Sequence, residues 1–217
     1  NIPAEMKARR QWAVSSLARG ADGKADKKPR RADGSEMSWR DPLQWLTFDE
    51  AVSSGFPAIG YILSAGDPFT IIDLDVDDRI TEEESARQRQ IYESFPSYTE
   101  LSVSGRGLHI VLLGRIGGGV RRDRVEVYDQ DRYMLCTGAV QTPGPIQSHP
   151  ELLARLVHEM GGVSSTKELP PSGDEPCGDE ELVARITNSR QGAKFQDLMN
   201  GTPSSEADAA LLAILAF

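Results

Sequence analysis

Short apolar runs rich in β-branched residues recur along the first two thirds of the chain, and this pattern predicts strands. Seven segments show the pattern, at residues 11–17, 58–63, 69–76, 98–103, 108–113, 124–128 and 133–137. A helical period predicts helices at residues 47–54, 81–95 and 150–160, with Thr47 as the N-cap of the first helix and glutamates in the first turn of the second. Helices mixed with runs of strands indicate an α+β domain.

The composition changes after residue 160, where glycine, serine, proline and charged residues replace the periodic pattern. Such a composition is typical of a linker. Helical patterns return at residues 179–186, 194–199 and 205–217, and the last one reaches the final residue without a C-cap. We therefore expect a main domain at residues 1–162, a linker at residues 163–178 and a helical module at residues 179–217 that is truncated.

The amino-acid composition argues against a membrane protein, a disulfide-rich protein and a zinc-finger protein. With 39% hydrophobic and 26% charged residues, the 217-residue chain has the composition of an ordinary globular protein with one sizeable core. No stretch approaches the roughly 20 apolar residues that span a bilayer, so we expect a cytoplasmic protein with no membrane partner. The two cysteines are too few for a disulfide framework, and no cysteine pairs with His149 or His158 at zinc-finger spacing.

The net charge of -9 argues at first against a nucleic-acid partner, because Lys and Arg supply most of the affinity for phosphates. The basic residues are nevertheless clustered. Nine of them lie within residues 1–31, against three acidic ones, and Arg121, Arg122 and Arg124 form a second group. Taken by themselves, both groups are more simply interpreted as solvated basic loops.

The segment from Thr70 to Asp78 holds four aspartates directly after an apolar strand pattern. Because side chains alternate along a strand, Asp73 and Asp75 are expected on one face and Ile72 and Leu74 on the other. Two carboxylates side by side repel each other unless both are solvated or a divalent cation compensates them. Mg²⁺ is typically held by one or two carboxylates together with substrate phosphates.

The same aspartates also fit part of a calcium-binding EF-hand loop running from Asp73 to Glu84. The loop would need glycine where Asp78 stands, and a helix should precede it where the pattern predicts a strand. A solvated acidic turn is a further alternative. We favour a catalytic metal pair over both.

Two later segments carry further candidate chemistry. Glycines at 105 and 107 permit a tight turn in which backbone N–H groups, Ser104 and Arg106 can converge on an anion, and His109 follows on the next strand. The weaker interpretation is a plain hairpin turn and a structural histidine. Glu126 lies in an alternating strand, where it can face water or complete a metal site, and Asp129 at the strand end is a second candidate for that role.

An acidic pair on a strand, a histidine in a strand pair and a third acidic residue on a later strand together resemble the three-motif pattern of archaeo-eukaryotic primases. The chain is most similar to the primase-polymerase domains of phage and plasmid replication proteins. The resemblance extends to residues 10–14, to the basic turn at residues 27–29 and to residues 132–138, while residues 194–217 resemble the helical module that precedes a helicase in such proteins.

The resemblance implies an RRM-like mixed sheet with flanking helices, and DNA primase and polymerase activity in phage or plasmid replication in a bacterial cell. It implies that Asp73, Asp75 and Glu126 hold Mg²⁺ or Mn²⁺ in a two-metal site. His109 would contact the triphosphate of the incoming nucleotide. Further nucleotide-binding candidates are Lys28, Ser104, Gly105, Arg106 and Gly107.

The implied partners are a single-stranded DNA template, NTP or dNTP substrates, and a helicase domain in a longer chain. Candidate DNA-binding residues are Arg30, Arg31, Arg121, Arg122 and Arg124. Three other functions stay open: a metal-dependent nuclease, a non-catalytic scaffold that grips single-stranded DNA, and a calcium-binding module. Only a polymerase needs both a template and a triphosphate pocket.

Overall fold

The computed structural model describes residues 1–19 and 25–162. The predicted linker and the predicted helical module at residues 179–217 lie outside the described residues. In the described part of the chain, no helix is both long and apolar enough to cross a membrane.

The described chain contains four α-helices and ten strands. In order they are α1 (Ala4–Lys7), β1 (Trp12–Ser15), α2 (Phe48–Ser53), β2 (Ala58–Leu63), β3 (Phe69–Leu74), α3 (Glu82–Ser94), β4 (Thr99–Leu101), β5 (Leu108–Leu113), β6 (Gly119–Arg122), β7 (Val125–Tyr128), β8 (Arg132–Cys136), β9 (Val140–Thr142), β10 (Gln147–Ser148) and α4 (Pro150–Glu159). The prediction of an α+β domain is confirmed. The short α1, β6, β9 and β10 were not predicted, since segments of two to four residues carry too little periodic signal.

The strands form two sheets. β1, β2 and β8 make a small antiparallel sheet in the order β1-β2-β8. The larger sheet has the order β6-β7-β3-β5-β4-β9, and β10 pairs with β5 in parallel. β3 therefore lies at the centre, with β5 on one side and β7 on the other, although neither is its neighbour in sequence.

The two faces of the larger sheet bury different sets of side chains. Ile71 points into the cluster between the two sheets, while Ile72 and Leu74 belong to the cluster on the opposite face, as the alternation along β3 predicts. Among the residues of the inner cluster are Trp12, Val14, Tyr61, Leu63, Phe69, Val111, Met134 and Cys136. Each such side chain contributes roughly 1.5–3 kcal/mol when fully buried.

Helices α3 and α4 cover the outer face through Ile91, Phe95, Leu153, Leu156 and Val157. The start of α3 is set by a capping box. The Thr81 hydroxyl accepts the Glu84 N–H at 3.1 Å, and the Glu84 carboxylate accepts the Thr81 N–H at 2.8 Å. Thr47 caps α2 by the same arrangement, which confirms that predicted N-cap. The outer face is thus closed by helices, and polar residues lie on the inner face.

Candidate active site

Three adjacent strands bring an aspartate, a histidine and a glutamate side by side. Asp73 on β3 is in register with His109 on β5 and with Glu126 on β7. Residues directly opposite on paired strands share a face, so all three side chains lie on the inner face, two residues beyond Ile71 along β3. Nε2 of His109 is 3.7 Å from Oδ1 of Asp73. The row begins where the hydrophobic packing between the sheets ends.

The Asp73 carboxyl is partly buried among other charged groups. Burial raises the pKa of Asp73, and the carboxylates of Glu126 and Asp75 raise it further, while His109 and Arg132 partly offset the rise. The side chain keeps 28% of its exposure, so an ion can reach it. An added cation would relieve this electrostatic cost.

Asp75 lies one residue past the end of β3 and is exposed. Its position is fixed through its backbone: its N–H donates to the Arg124 carbonyl at 3.0 Å, and Nε2 of Gln88 donates to its carbonyl at 2.9 Å. The strand was predicted to continue to residue 76, whereas β3 ends at Leu74. The hydrogen bond from Asp75 to Arg124, the residue before β7, continues the contact between the two chain segments by one residue. Asp75 contributes to the negative field at Asp73.

Glu126 is 9% exposed and engages two arginines. Its carboxylate lies 3.1 Å from Nε of Arg121 on β6 and 2.8 Å from a terminal nitrogen of Arg132 on β8. The Arg132 guanidinium also stacks over the Tyr128 ring, 4.4 Å from its centroid. Within the described residues, no three His, Cys, Asp or Glu side chains are grouped closely enough to hold a metal ion by themselves.

Asp129, the other candidate for the third carboxylate, organises a loop. It is fully buried and accepts the N–H groups of Ile116, Gly117 and Gly118, each at 2.8 Å. Nε of Arg115 donates to the same carboxylate at 2.8 Å. Because its carboxylate already accepts four hydrogen bonds, Asp129 stabilises the loop between β5 and β6 and is not available as a metal ligand.

The turn from Ser102 to Gly107 packs directly against the end of β3. The Ser102 N–H donates to the Gly107 carbonyl at 2.8 Å, and the two serine hydroxyls at 102 and 104 are 2.9 Å apart. A Cβ atom on Gly107 would lie 2.6 Å from the Leu74 carbonyl oxygen, so only glycine allows this approach. The Arg106 side chain reaches Asp78 at 2.5 Å.

A cleft of about 120 Å³ opens between the two sheets beside this row. Its polar lining comes from Lys27, Asp73, Ser102, His109 and Arg132. Apolar and aromatic side chains of β2, β3, β7 and β8, together with Val103 of the turn after β4, complete the lining. Lys27 belongs to the lining, whereas the predicted Lys28, Ser104 and Arg106 do not. The cleft thus combines negative and positive groups, as a site for a metal and phosphates requires.

Four of the five predicted DNA-binding arginines form ion pairs within the domain. Their partners are Asp26 for Arg30, Glu126 for Arg121, Asp123 for Arg122, and Asp77 and Glu84 for Arg124. Arg31 is exposed, and Arg121 and Arg122 keep 74% and 53% of their side-chain exposure. Arg124 keeps 23% and links the start of α3 to the acidic turn. Arg31, Arg121 and Arg122 are therefore the most accessible of the five.

Sequence reasoning did not single out Glu100, Lys27 or Arg132 as individual site residues. Glu100 is a charged residue inside a predicted strand, and it lies opposite His109 in the sheet. That position was a usable signal, but the pairing of β4 with β5 was needed to interpret it. Arg132 comes from the other sheet, so its approach to Glu126 depends on how the two sheets pack.

None of the protein-family models matches this chain. A curated protein, the DNA primase-polymerase of Nitratiruptor phage NrS-1, is 36% identical to it over 142 residues. The match covers 60% of this chain and 19% of the phage protein, so it corresponds to about a fifth of that relative's length. The similarity in sequence and the α+β architecture agree with the resemblance described above. Over these 142 residues the chain is therefore similar to part of a phage DNA primase-polymerase.

Proposed function

We propose that this domain is a template-dependent nucleotidyltransferase that makes and extends primers on single-stranded DNA. The observation that carries the proposal is the row formed by Glu126, Asp73 and His109 on three adjacent strands, beside a cleft lined by Lys27 and Arg132. Positioning and electrostatics are most of what phosphoryl transfer needs from a protein. The named relative supports the same class of reaction.

The carboxylates suit a divalent cation. Asp73 and Asp75 offer hard oxygen ligands, and the raised pKa of Asp73 reflects burial and neighbouring negative charge. We assign them as the residues that would hold Mg²⁺ or Mn²⁺ together with nucleotide phosphates. In a two-metal site the ions would activate the primer 3′-hydroxyl and neutralise the pyrophosphate leaving group.

Glu126 is the third carboxylate of the proposed site. Because Arg121 and Arg132 share its oxygens, Glu126 also holds two guanidinium groups beside the cleft. Arginine binds phosphate oxygens in a bidentate manner. An incoming triphosphate would bind the Arg132 guanidinium in place of Glu126, and the Glu126 carboxylate would then be free to bind a metal ion.

The triphosphate would lie along the cleft. His109, Lys27 and Arg132 are the side chains that line it and can bind anionic oxygens, and Ser102 provides a hydroxyl. The turn beside the cleft contains Ser104, Gly105, Arg106 and Gly107. Lys28 follows Lys27, which lines the cleft. The polarity of the cleft suits NTP or dNTP substrates.

The partners belong to the proposal as well. Arg31, Arg121 and Arg122 are exposed enough to bind the phosphates of a single-stranded template. A helicase domain in a longer chain would place the primase beside unwound DNA. This chain covers only a fifth of its phage relative, so the further domain rests on the resemblance of residues 194–217.

The test is incorporation of labelled nucleotides on a single-stranded template with Mg²⁺ or Mn²⁺, with and without a primer. Asp73→Asn should abolish product by removing a charge that the metal needs. Asp49→Asn, which changes an exposed aspartate of α2 outside the cleft lining, should leave product unchanged. Strand shortening would instead indicate a nuclease, and DNA binding without any synthesis would indicate a scaffold. Full synthesis by Asp73→Asn would refute the assigned site.

A further inference from the structure

Glu100 is a buried charged residue that the proposed chemistry does not yet use. It lies on β4 with 1% of its surface exposed, and it is in register with His109 on β5. Oε1 of Glu100 is 3.5 Å from Nδ1 of His109. Glu100, His109, Asp73 and Glu126 therefore form one continuous row across four strands.

Three donors other than the histidine hold the Glu100 carboxylate. The Tyr98 hydroxyl and the Gly138 N–H donate to Oε2, each at 2.9 Å, and the Thr137 N–H donates to Oε1 at 3.0 Å. A carboxylate has roughly four acceptor positions, so these bonds leave one on Oε1, which faces the imidazole. The carboxylate is thereby immobilised with its remaining acceptor turned to His109.

The two nitrogens of the His109 ring face different carboxylates, Nδ1 that of Glu100 and Nε2 that of Asp73. Nδ1 of His109 is buried and has no partner at hydrogen-bond geometry within the described part of the chain, and Oε1 of Glu100, 3.5 Å away, is the acceptor that it faces. Nε2 faces Asp73 and the cleft. A half-turn of the ring would place Cδ2 where Nδ1 now lies and leave a buried carboxylate position without a donor, which is costly in a desolvated site.

We infer that Glu100 is a positioning residue that acts through His109. It binds Nδ1, so that Nε2 is the nitrogen presented to the nucleotide beside Asp73. The function of His109 in nucleotide binding belongs to the proposed function, and this inference rests on it. Burial by itself would raise the pKa of Glu100, but the contact with His109 and the N–H groups of Thr137 and Gly138 lower it overall, which favours a carboxylate at neutral pH.

Glu100 also ties down the end of β8 through Thr137 and Gly138, so a purely structural function must be separated from positioning. The experiment is a double-mutant cycle on the full chain, with nucleotide KM measured for wild type, Glu100→Gln, His109→Ala and the double variant. Glu100→Gln replaces one acceptor oxygen by a donor. We expect its nucleotide KM to rise on the order of tenfold, the value of one hydrogen bond to a charged group.

In the His109→Ala background, the same Glu100→Gln change should alter nucleotide KM by less than about twofold, because the group through which it acts is gone. An equal rise in both backgrounds would overturn the inference and leave Glu100 as a structural clamp. Glu93→Gln is the matched control. It makes the same carboxylate-to-amide change at an exposed position of α3 outside the cleft lining, and it should keep wild-type nucleotide KM.

A second measurement does not depend on activity or on variants that fold. The chain has three histidines, so imidazole ¹⁵N–¹H spectra of the wild-type protein are simple to assign. We expect a protected proton on Nδ1 of His109 that persists in Glu93→Gln. Absence of that proton in the wild type overturns the inference even if synthesis is seen. Its presence in a protein without any synthesis would retain the orientation and refute only the proposed function.

Discussion

At the scale of single residues, the site contains buried carboxylates whose pKa values move in opposite directions. Asp73 has a raised pKa, because it is buried close to Glu126 and Asp75. Glu100 has a lowered pKa despite its burial, because the His109 contact and the N–H groups of Thr137 and Gly138 favour its charged form. A bound cation would therefore stabilise the charged form of Asp73, whereas the charged form of Glu100 is already stabilised by groups of the protein.

This contrast predicts different dependences of stability on pH for the two substitutions. A raised folded-state pKa means that Asp73 favours folding below its unfolded pKa and loses that contribution as pH rises. Asp73→Asn should therefore equal or exceed the wild-type Tm at neutral pH, and its advantage should shrink on acidification. Thermal melts between pH 4 and 8, without added metal, measure the difference. A large loss of Tm at neutral pH would contradict the view of Asp73 as an uncompensated charge.

Glu100→Gln should behave in the opposite way. The lowered pKa of Glu100 stabilises the fold above its unfolded pKa, and that contribution is lost as pH falls through the folded pKa. The variant should melt below wild type at neutral pH, and the gap should close towards acidic pH. The same series of melts provides the measurement. A pH-independent gap would mean that lost packing, and not charge, causes the destabilisation.

At the scale of elements, the position of the site depends on close contacts between a turn and a strand. The Ser102–Gly107 turn rests on the carbonyl of Leu74, at the point where β3 ends and Asp75 begins. The backbone of Gly107 is not in the left-handed region, so lack of space, and not backbone strain, excludes a side chain there. The turn and the acidic residues are therefore positioned by the same contact.

Gly107→Ala should push the turn away from β3 and disturb Asp75. Overpacking of this kind costs about 1–3 kcal/mol in the free energy of unfolding. We expect a lower denaturation midpoint together with a loss of nucleotide incorporation. Gly66→Ala is the control in another loop, because a Cβ there would meet only Ser64 Oγ, at 3.9 Å. Equal effects of both substitutions would show that the close approach to Leu74 is not what matters.

Local patterns were sufficient for most elements. Thr47 and Thr81 mark the starts of α2 and α3 through capping residues, and β2 and β5 have the bounds that their apolar runs predict. The sequence also predicted that Asp73 shares a face with Asp75 and not with Ile72, because alternation along one strand needs no partner. It did not predict β6, whose four residues are mostly exposed.

At the scale of the whole molecule, the site lies between two sheets, and each contributes to it. The large sheet supplies Asp73, His109, Glu126 and Glu100, while the small sheet supplies Arg132. The hydrophobic cluster between the sheets holds them at a fixed separation. Among the described residues, the members of both clusters that flank the large sheet extend from Ile2 to Met160.

The predicted domain boundary at residue 162 implies that a fragment of residues 1–162 should fold by itself. We expect it to show one cooperative thermal transition close to that of the full chain. The fragment should also retain the Nδ1 proton of His109. Calorimetry and the imidazole spectrum provide the measurements. A non-cooperative transition would show that residues beyond 162 are part of the same folding unit, contrary to the predicted domain boundary.

The sequence by itself determined most of the longer strand and helix segments, the N-cap of α2 and the side of β3 that carries Asp73, because these follow from local periodicity and capping. Only the tertiary structure decided that β3 lies between β5 and β7, and that β8 joins the other sheet. Pairing of strands distant in sequence depends on which whole arrangement buries the most apolar surface, and no short segment encodes it. For this reason the acidic motif was recognisable in the sequence. The contacts of Glu100 with His109 and of Arg132 with Glu126 emerged from the assembled sheets.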